Sequence, residues 1–195
     1  SITAAMVGND LISGKDALTS APASTDELLI SDAGVLKRID VSLVGGDNTP
    51  AFFVHNSSTQ SLSDATTTKV TLDSEDYDTD NAFASNKFTV PSGEAGKYLF
   101  YTAIDCHGGG GSYLNYAYLY IYKNGSAIGE FSQDERNNPA RRISITGTFA
   151  LDLSASDYIE IYANIDSEDP SSPTPLLVGD SGITTYLGGH KLIGV

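Results

Sequence analysis

From residue 51 onward the chain is a succession of short runs rich in β-branched and aromatic side chains, separated by glycine, proline, asparagine or aspartate. The runs are AFFVH (51–55), TKVTL (68–72), NKFTV (86–90), KYLFYTAI (97–104), NYAYLYIY (115–122), RRISITGTFAL (141–151), DYIEIYANI (157–165) and TTYLGGHKLI (184–193). Such residues suit a pleated, half-buried surface, and the turn formers between them stop any longer element. No helical period of useful length intervenes. Short strands at this spacing, without helices, predict an all-β antiparallel sandwich, jelly roll or barrel.

The run at 115–122 shows how the layers face. Side chains alternate across a pleated strand, so Ala117, Leu119 and Ile121 point one way and Tyr116, Tyr118, Tyr120 and Tyr122 the other. Residues 158–163 repeat the device, with Ile159 and Ile161 opposed to Tyr158, Glu160 and Tyr162. The aliphatic faces suit a core between two sheets. The tyrosine faces are apolar yet carry hydroxyls that tolerate water, the character of protein interfaces. Tyr116, Tyr118, Tyr120, Tyr122, Tyr158 and Tyr162 are therefore the candidate binding surface. The alternative is cross-strand aromatic packing that only stabilises an outer sheet.

The chain divides at G-G-D-N-T-P (45–50), which sets two glycines, two turn formers and a proline between apolar patches. This places an N-terminal attachment or stalk segment at 1–46, a linker at 47–50 and a globular head at 51–195. Within the segment, Leu28, Leu29 and Ile30, then a turn of Asp32, Ala33 and Gly34, then Val35, Leu36, Ile39 and Val41 predict a hairpin. A rival reading takes Ser24 and Glu27 as a helix capping box, but Gly34 and the β-branched residues oppose a long helix. So short a segment buries too little surface to stand alone and is expected to lean on a partner.

Acidic residues number 25 against 11 basic ones, a net charge of −14. Such a surface repels phosphate, which excludes nucleic acid as a partner and disfavours anionic membrane. No apolar run is long enough to span a bilayer, and SITAAMVGND has neither the basic nor the apolar region of a secretory signal. A lone cysteine, Cys106, forms no disulfide within the chain.

Several stretches invite a chemical reading. D-C-H-G-G-G-G-S-Y (105–113) joins Cys106 and His107 to four glycines, but it lies between two strands, where glycine supplies the positive φ a reversal needs. An oxyanion loop of the H-G-G-G kind would require a nucleophile elbow on an α/β sheet, and a Cys-His pair supplies only half of a zinc site. G-D-S-G (179–182) would permit a triad of His55, Asp105 and Ser181. Ile183 follows the motif, however, and the fourteen residues from Gly182 to Val195 are too few for a protease's pocket walls. In D-S-E-D-Y-D-T-D-N (73–81), Asp76, Asp78 and Asp80 have the spacing of an EF-hand's first ligands, but Asn81 and Lys87 stand where glycine and glutamate belong. These carboxylates are a candidate calcium site in a loop, against the alternative of a solvated acidic loop. Asn56 and Asn124 head glycosylation sequons, and His190 is expected to be structural. No other cofactor is expected. No acid–base pair or phosphate loop remains, so the chain is read as non-enzymatic.

NKFTVPSGEAGKYLFY resembles the signature of the complement one-q globular-head family, which shares the tumour-necrosis-factor-like jelly roll. Phe88, Pro91, Gly96, Tyr98 and Phe100 match its aromatic, proline and glycine positions, with two extra residues between Phe88 and Gly96. YIYKNG (120–125), LSASDYIEIYA and the closing TTYLGGHKLIGV are similar to later segments of that family, so the resemblance covers roughly 51–195. It implies a jelly-roll β-sandwich that assembles as a homotrimer, binds proteins, catalyses nothing and in several members holds calcium. Strands at 97–104, 143–151 and 184–193 would lie towards the threefold axis, with the tyrosine strands outward. Three copies at −14 each repel one another unless salt or cations intervene.

DELLISDAGVLKRID is similar to short hairpin segments of tailed-phage fibre and virion proteins. The combined expectation is a trimeric virion appendage, a fibre, head-fibre or capsid decoration. Residues 1–46 would bind other virion proteins, and the head would be displayed to a host surface protein or glycan. The alternative is a secreted, extracellular complement-like recognition or adhesion module.

Overall fold

The computed structural model describes residues 19, 22, 23, 25–44, 48–169, 174–180 and 182–193. The chain falls into two units divided between Asp47 and Asn48. In the first, β1 (Glu27–Asp32) and β2 (Val35–Asp40) pair antiparallel in perfect register from Glu27↔Asp40 to Asp32↔Val35. Ala33 and Gly34 join them with φ of 49° and 81°, the two positive values of a tight turn whose twist matches that of the strands. Glu27 opens a strand and not a helix; Ser24, its partner in the rival capping box, lies outside the described residues, as does most of 1–26. Lys37 pairs with Asp32, and Arg38 with Glu27 at 3.1 Å. Leu29 and Leu36 on one face remain about 70% exposed, and Leu28 and Val35 on the other stand about half exposed.

The head is the expected all-β jelly-roll sandwich. One sheet runs β11 (Ser126–Asp134), β10 (Leu114–Lys123), β13 (Tyr158–Ser167), β8 (Lys87–Thr89), β7 (Phe83–Ala84), with β5 (Thr68–Lys69) also on β13. The other runs β4 (Gln60–Ser61), β14 (Leu176–Leu177), β9 (Gly96–His107), β15 (Tyr186–Lys191), β3 (Ala51–His55), β6 (Ser74–Asp78), with β12 (Arg142–Leu153) on the far side of β9. All pairings are antiparallel.

Alternation builds the core. Ala117, Leu119 and Ile121 meet Ile159, Ile161, Ala163 and Ile165 on the inner face of the first sheet, all buried. Against them the second sheet sets Phe52, Phe100, Ile104 and Leu187. The Phe52 ring stacks on Phe88 at 4.7 Å and Phe100 on Phe149 at 5.1 Å. Each such ring buries enough apolar surface to contribute a few kcal/mol.

Three limits differ from the sequence reading. The run from Lys97 continues as strand through Asp105, Cys106 and His107, so only the glycines turn. The acidic stretch taken as a loop contains β6, which pairs with β3. Ser126–Asp134, which no hydrophobic run announced, is a nine-residue strand at the edge of the first sheet. Its burial explains why: it is exposed almost throughout, so nothing forces apolar residues upon it.

Candidate functional site

The outer face of the first sheet carries the tyrosines together. Register sets Tyr116 opposite Asp166, Tyr118 opposite Asn164, Tyr120 opposite Tyr162 and Tyr122 opposite Glu160 on β13. On the other flank Tyr116 faces Asp134, Tyr118 faces Ser132 and Tyr120 faces Glu130 on β11. The Tyr116 and Tyr118 rings meet edge-on at 5.0 Å, Tyr118 and Tyr120 stack at 5.7 Å, and Tyr122 leans on Tyr162 at 4.1 Å. Tyr158 belongs to the same strand face but is covered by Lys87, whose Nζ lies 4.6 Å from the ring centre. All six are half-buried. Burial first, then a neighbouring carboxylate, pushes three hydroxyls above their ordinary range: Asp166 acts on Tyr116, Glu130 on Tyr120 and Glu160 on Tyr162.

A second aromatic group, which the sequence reading did not single out, lies on the outer face of the other sheet. Phe53 stands 5.3 Å from Tyr186, 6.1 Å from Tyr101 and 6.5 Å from Tyr77. The Tyr77 and Tyr101 hydroxyls are 3.3 Å apart. Gly188 makes room for this packing, because a Cβ there would sit 2.4 Å from the Tyr101 ring. Burial, then the Tyr77 hydroxyl, drives the Tyr101 hydroxyl well above the usual tyrosine range.

The sandwich is also open along one seam, where β11 and β12 are the edges of their sheets. A cleft there is lined by Ile121, Ile128, Phe131, Phe149 and Leu151. Phe131 folds across Gly147, whose Cβ would meet the ring at 2.4 Å. Ile128 is the extra residue of a bulge between the Ile121 and Tyr122 rungs and stands half exposed.

The suspected chemical motifs resolve into structure. Cys106 points into the core, where burial raises its thiol, while His107 faces the other way and accepts the Gly109 amide on Nδ1 at 2.9 Å. The following glycines carry φ of 81°, 43° and 117° at 109–111, as a reversal demands. Asp105 is taken by Arg142, and the His55 Nδ1 lies 3.4 Å from Asp76; Ser181 lies outside the described residues. Asp78 accepts the Phe83 amide and Asp80 the Thr79 hydroxyl, so Asp76, Asp78 and Asp80 carry separate duties. No group of three metal-ligating side chains occurs among the described residues. Of the sequon asparagines, Asn56 is buried, and Asn124 donates to Asp157 at 2.7 Å from within its turn.

No protein-family model and no curated protein matches the sequence. Solved structures do match the fold. The globular domain of zebrafish complement 1qA is 16% identical over 74% of this chain and 98% of its own, with a TM-score of 0.50. Murine APRIL is 14% identical over 73% and 98%, at 0.51. Eiger TNF from S. frugiperda is 15% identical over 74% and 93%, at 0.50. The head has the complement one-q and tumour-necrosis-factor-like jelly-roll fold.

These likenesses overturn the expectation of a phage virion appendage and of a virion location. The solved structures that share the head's fold include a complement component, murine APRIL and Eiger TNF, and nothing ties residues 1–46 to a virion segment or to virion partners. The short hairpin motif misled because a two-residue turn between alternating strands is common to unrelated chains.

Proposed function

We propose that the head is a homotrimeric, extracellular recognition module that acts by contact. The observation that carries the reading is the aromatic group of Phe53, Tyr77, Tyr101 and Tyr186 on a sheet face that the subunit's own core leaves outside. The β11–β12 seam presents a second apolar patch on a different side of the same subunit. Two unlike patches that meet between copies make a heterologous contact, which closes into a ring where the rotation between copies permits it. Three is the number that the fold's resemblance implies. The outer tyrosine face then stays on the outside, repeated three times, so that weak single contacts gain avidity.

Light scattering tests assembly directly. The expected mass is three times that of the 20.5 kDa chain. A monomer at micromolar concentration overturns the reading.

A further inference from the structure

The tyrosine face contains a worked example of the ligand it is built to hold. Arg136 follows β11, and its guanidinium lies over the Tyr116 ring at 5.5 Å from the centre, 3.4 Å from the Asp134 carboxylate. Tyr116 and Asp134 are opposite one another in the β10–β11 register. A ring face that attracts a cation and a carboxylate that neutralises it thus form one receptor, already filled by the chain itself.

The same pair recurs four rungs along, on the same face. Tyr120 is opposite Glu130, with Tyr118 and Ser132 between. Four residues of strand separate Tyr116 from Tyr120, roughly 13 Å at the rise of an antiparallel strand. Here no cation of the chain takes the place of Arg136: among the described residues none pairs with Glu130 or lies over Tyr120. In its stead there is a hollow bounded by Tyr120, Ala127, Gly129 and Glu130. The bulge at Ile128 and the small side chains on either side of it leave that space open.

Resting on the reading of this face as the recognition surface, we propose that the hollow between Tyr120 and Glu130 receives an arginine or lysine side chain from an extended segment of a partner protein. The occupant follows from charge complementarity. Glu130 stands uncompensated on a chain of net charge −14, beside a ring whose face is electron-rich. An extended segment lying along β10 would repeat the spacing that Arg136 and the empty hollow set.

The test is fluorescence anisotropy of a labelled hexa-arginine peptide against the full chain at low salt, with hexa-glutamate as the negative probe. Glu130→Gln and Tyr120→Leu should each weaken binding about fivefold or more, the scale of one cation–ring or ion-pair contact. Tyr120→Phe should bind like the parent, because the ring and not the hydroxyl makes the contact. Glu75→Gln, an equal charge change at an exposed position on the other sheet, should have little effect. Equal losses in Glu130→Gln and Glu75→Gln would mean attraction to net charge alone and would overturn the proposal. So would absence of binding, or displacement by a neutral oligosaccharide that is indifferent to Glu130→Gln, which would make the face a sugar platform. Light scattering on the same variants keeps this outcome separate from assembly: a trimer that ignores the peptide sinks the hollow and leaves the trimer standing.

Discussion

Arg142 grips Asp105 with two hydrogen bonds across adjacent strands, its Nε donating to Oδ1 at 2.8 Å and its Nη2 to Oδ2 at 2.7 Å. The carboxylate is 3% exposed and the guanidinium half exposed. Fork-to-fork geometry of this kind fixes orientation as well as charge.

Removing the arginine would strand a buried carboxylate. Breaking a fully buried pair costs about 3–5 kcal/mol. Water reaches half of this guanidinium, which screens the pair and reduces the expected loss to about 1–2 kcal/mol. Arg142→Leu should therefore lower the unfolding free energy obtained from urea titration by that amount. Arg142→Lys should recover only part of it, since lysine offers one point of charge where arginine offers a fork.

Asp157 contributes stability that acid removes. It pairs with Lys123 at 2.9 Å, and accepts the Asn124 amide at 2.7 Å and the Ser154 backbone amide at 2.8 Å. The Lys123 bond first, then Asn124 and Ser154, hold its carboxyl down to about 2, against 3.8 for a free aspartate. A carboxyl whose folded value is depressed stabilises the fold above the unfolded value and loses that contribution as pH falls through the folded one. Asp157→Asn should flatten the decline in thermal midpoint between about pH 4 and pH 2. An unchanged slope in that window would show that other carboxyls set it.

How much was legible in the sequence follows from how strongly each element is buried. The strands at 97–107, 114–123, 142–153 and 158–167 face the core on alternate residues, so their pattern of two is written in the side chains. The edge strand Ser126–Asp134 buries almost nothing, so hydrophobic pattern gave no sign of it. Its signal was the turn: Asn124 and Gly125, at φ of 52° and 78°, form the two-residue hairpin that a strand followed by asparagine-glycine announces. With that strand unseen, Glu130 and Asp134 could not be set beside the tyrosines. The tyrosine face itself was readable because alternation needs no partner strand to be recognised. The Phe53 group was not, since its four members come from four strands and only pairing brings them together.

Gly188 offers a way to probe that group without touching an aromatic side chain. Its backbone sits under Tyr101, and a larger side chain would have to displace the ring. Gly188→Val should leave the β-sheet signal in circular dichroism while shifting the proposed trimer towards monomer, because it displaces the Tyr101 ring from the aromatic face. Full trimer with normal stability in this variant would count against the aromatic face as the interface.

Tyr98 contributes stability that alkali removes. Its ring is fully buried among Phe88 and Phe100, and its hydroxyl donates to the Glu94 carbonyl at 2.6 Å. Burial first, then the Glu94 and Asp80 carboxylates, push the hydroxyl up to about 12 from an ordinary 10. The folded state thus favours the neutral phenol. The stability this contributes is complete below the unfolded value and is lost as pH climbs from about 10 to about 12. Tyr98→Phe should cost about 1 kcal/mol at neutral pH for the lost hydrogen bond. It should also remove much of the decline in stability over that alkaline window, because phenylalanine has no proton to lose. A phenylalanine variant that unfolds in alkali along the parent's curve would place the responsible group elsewhere, and the deeply shifted Tyr101 hydroxyl is the next to replace.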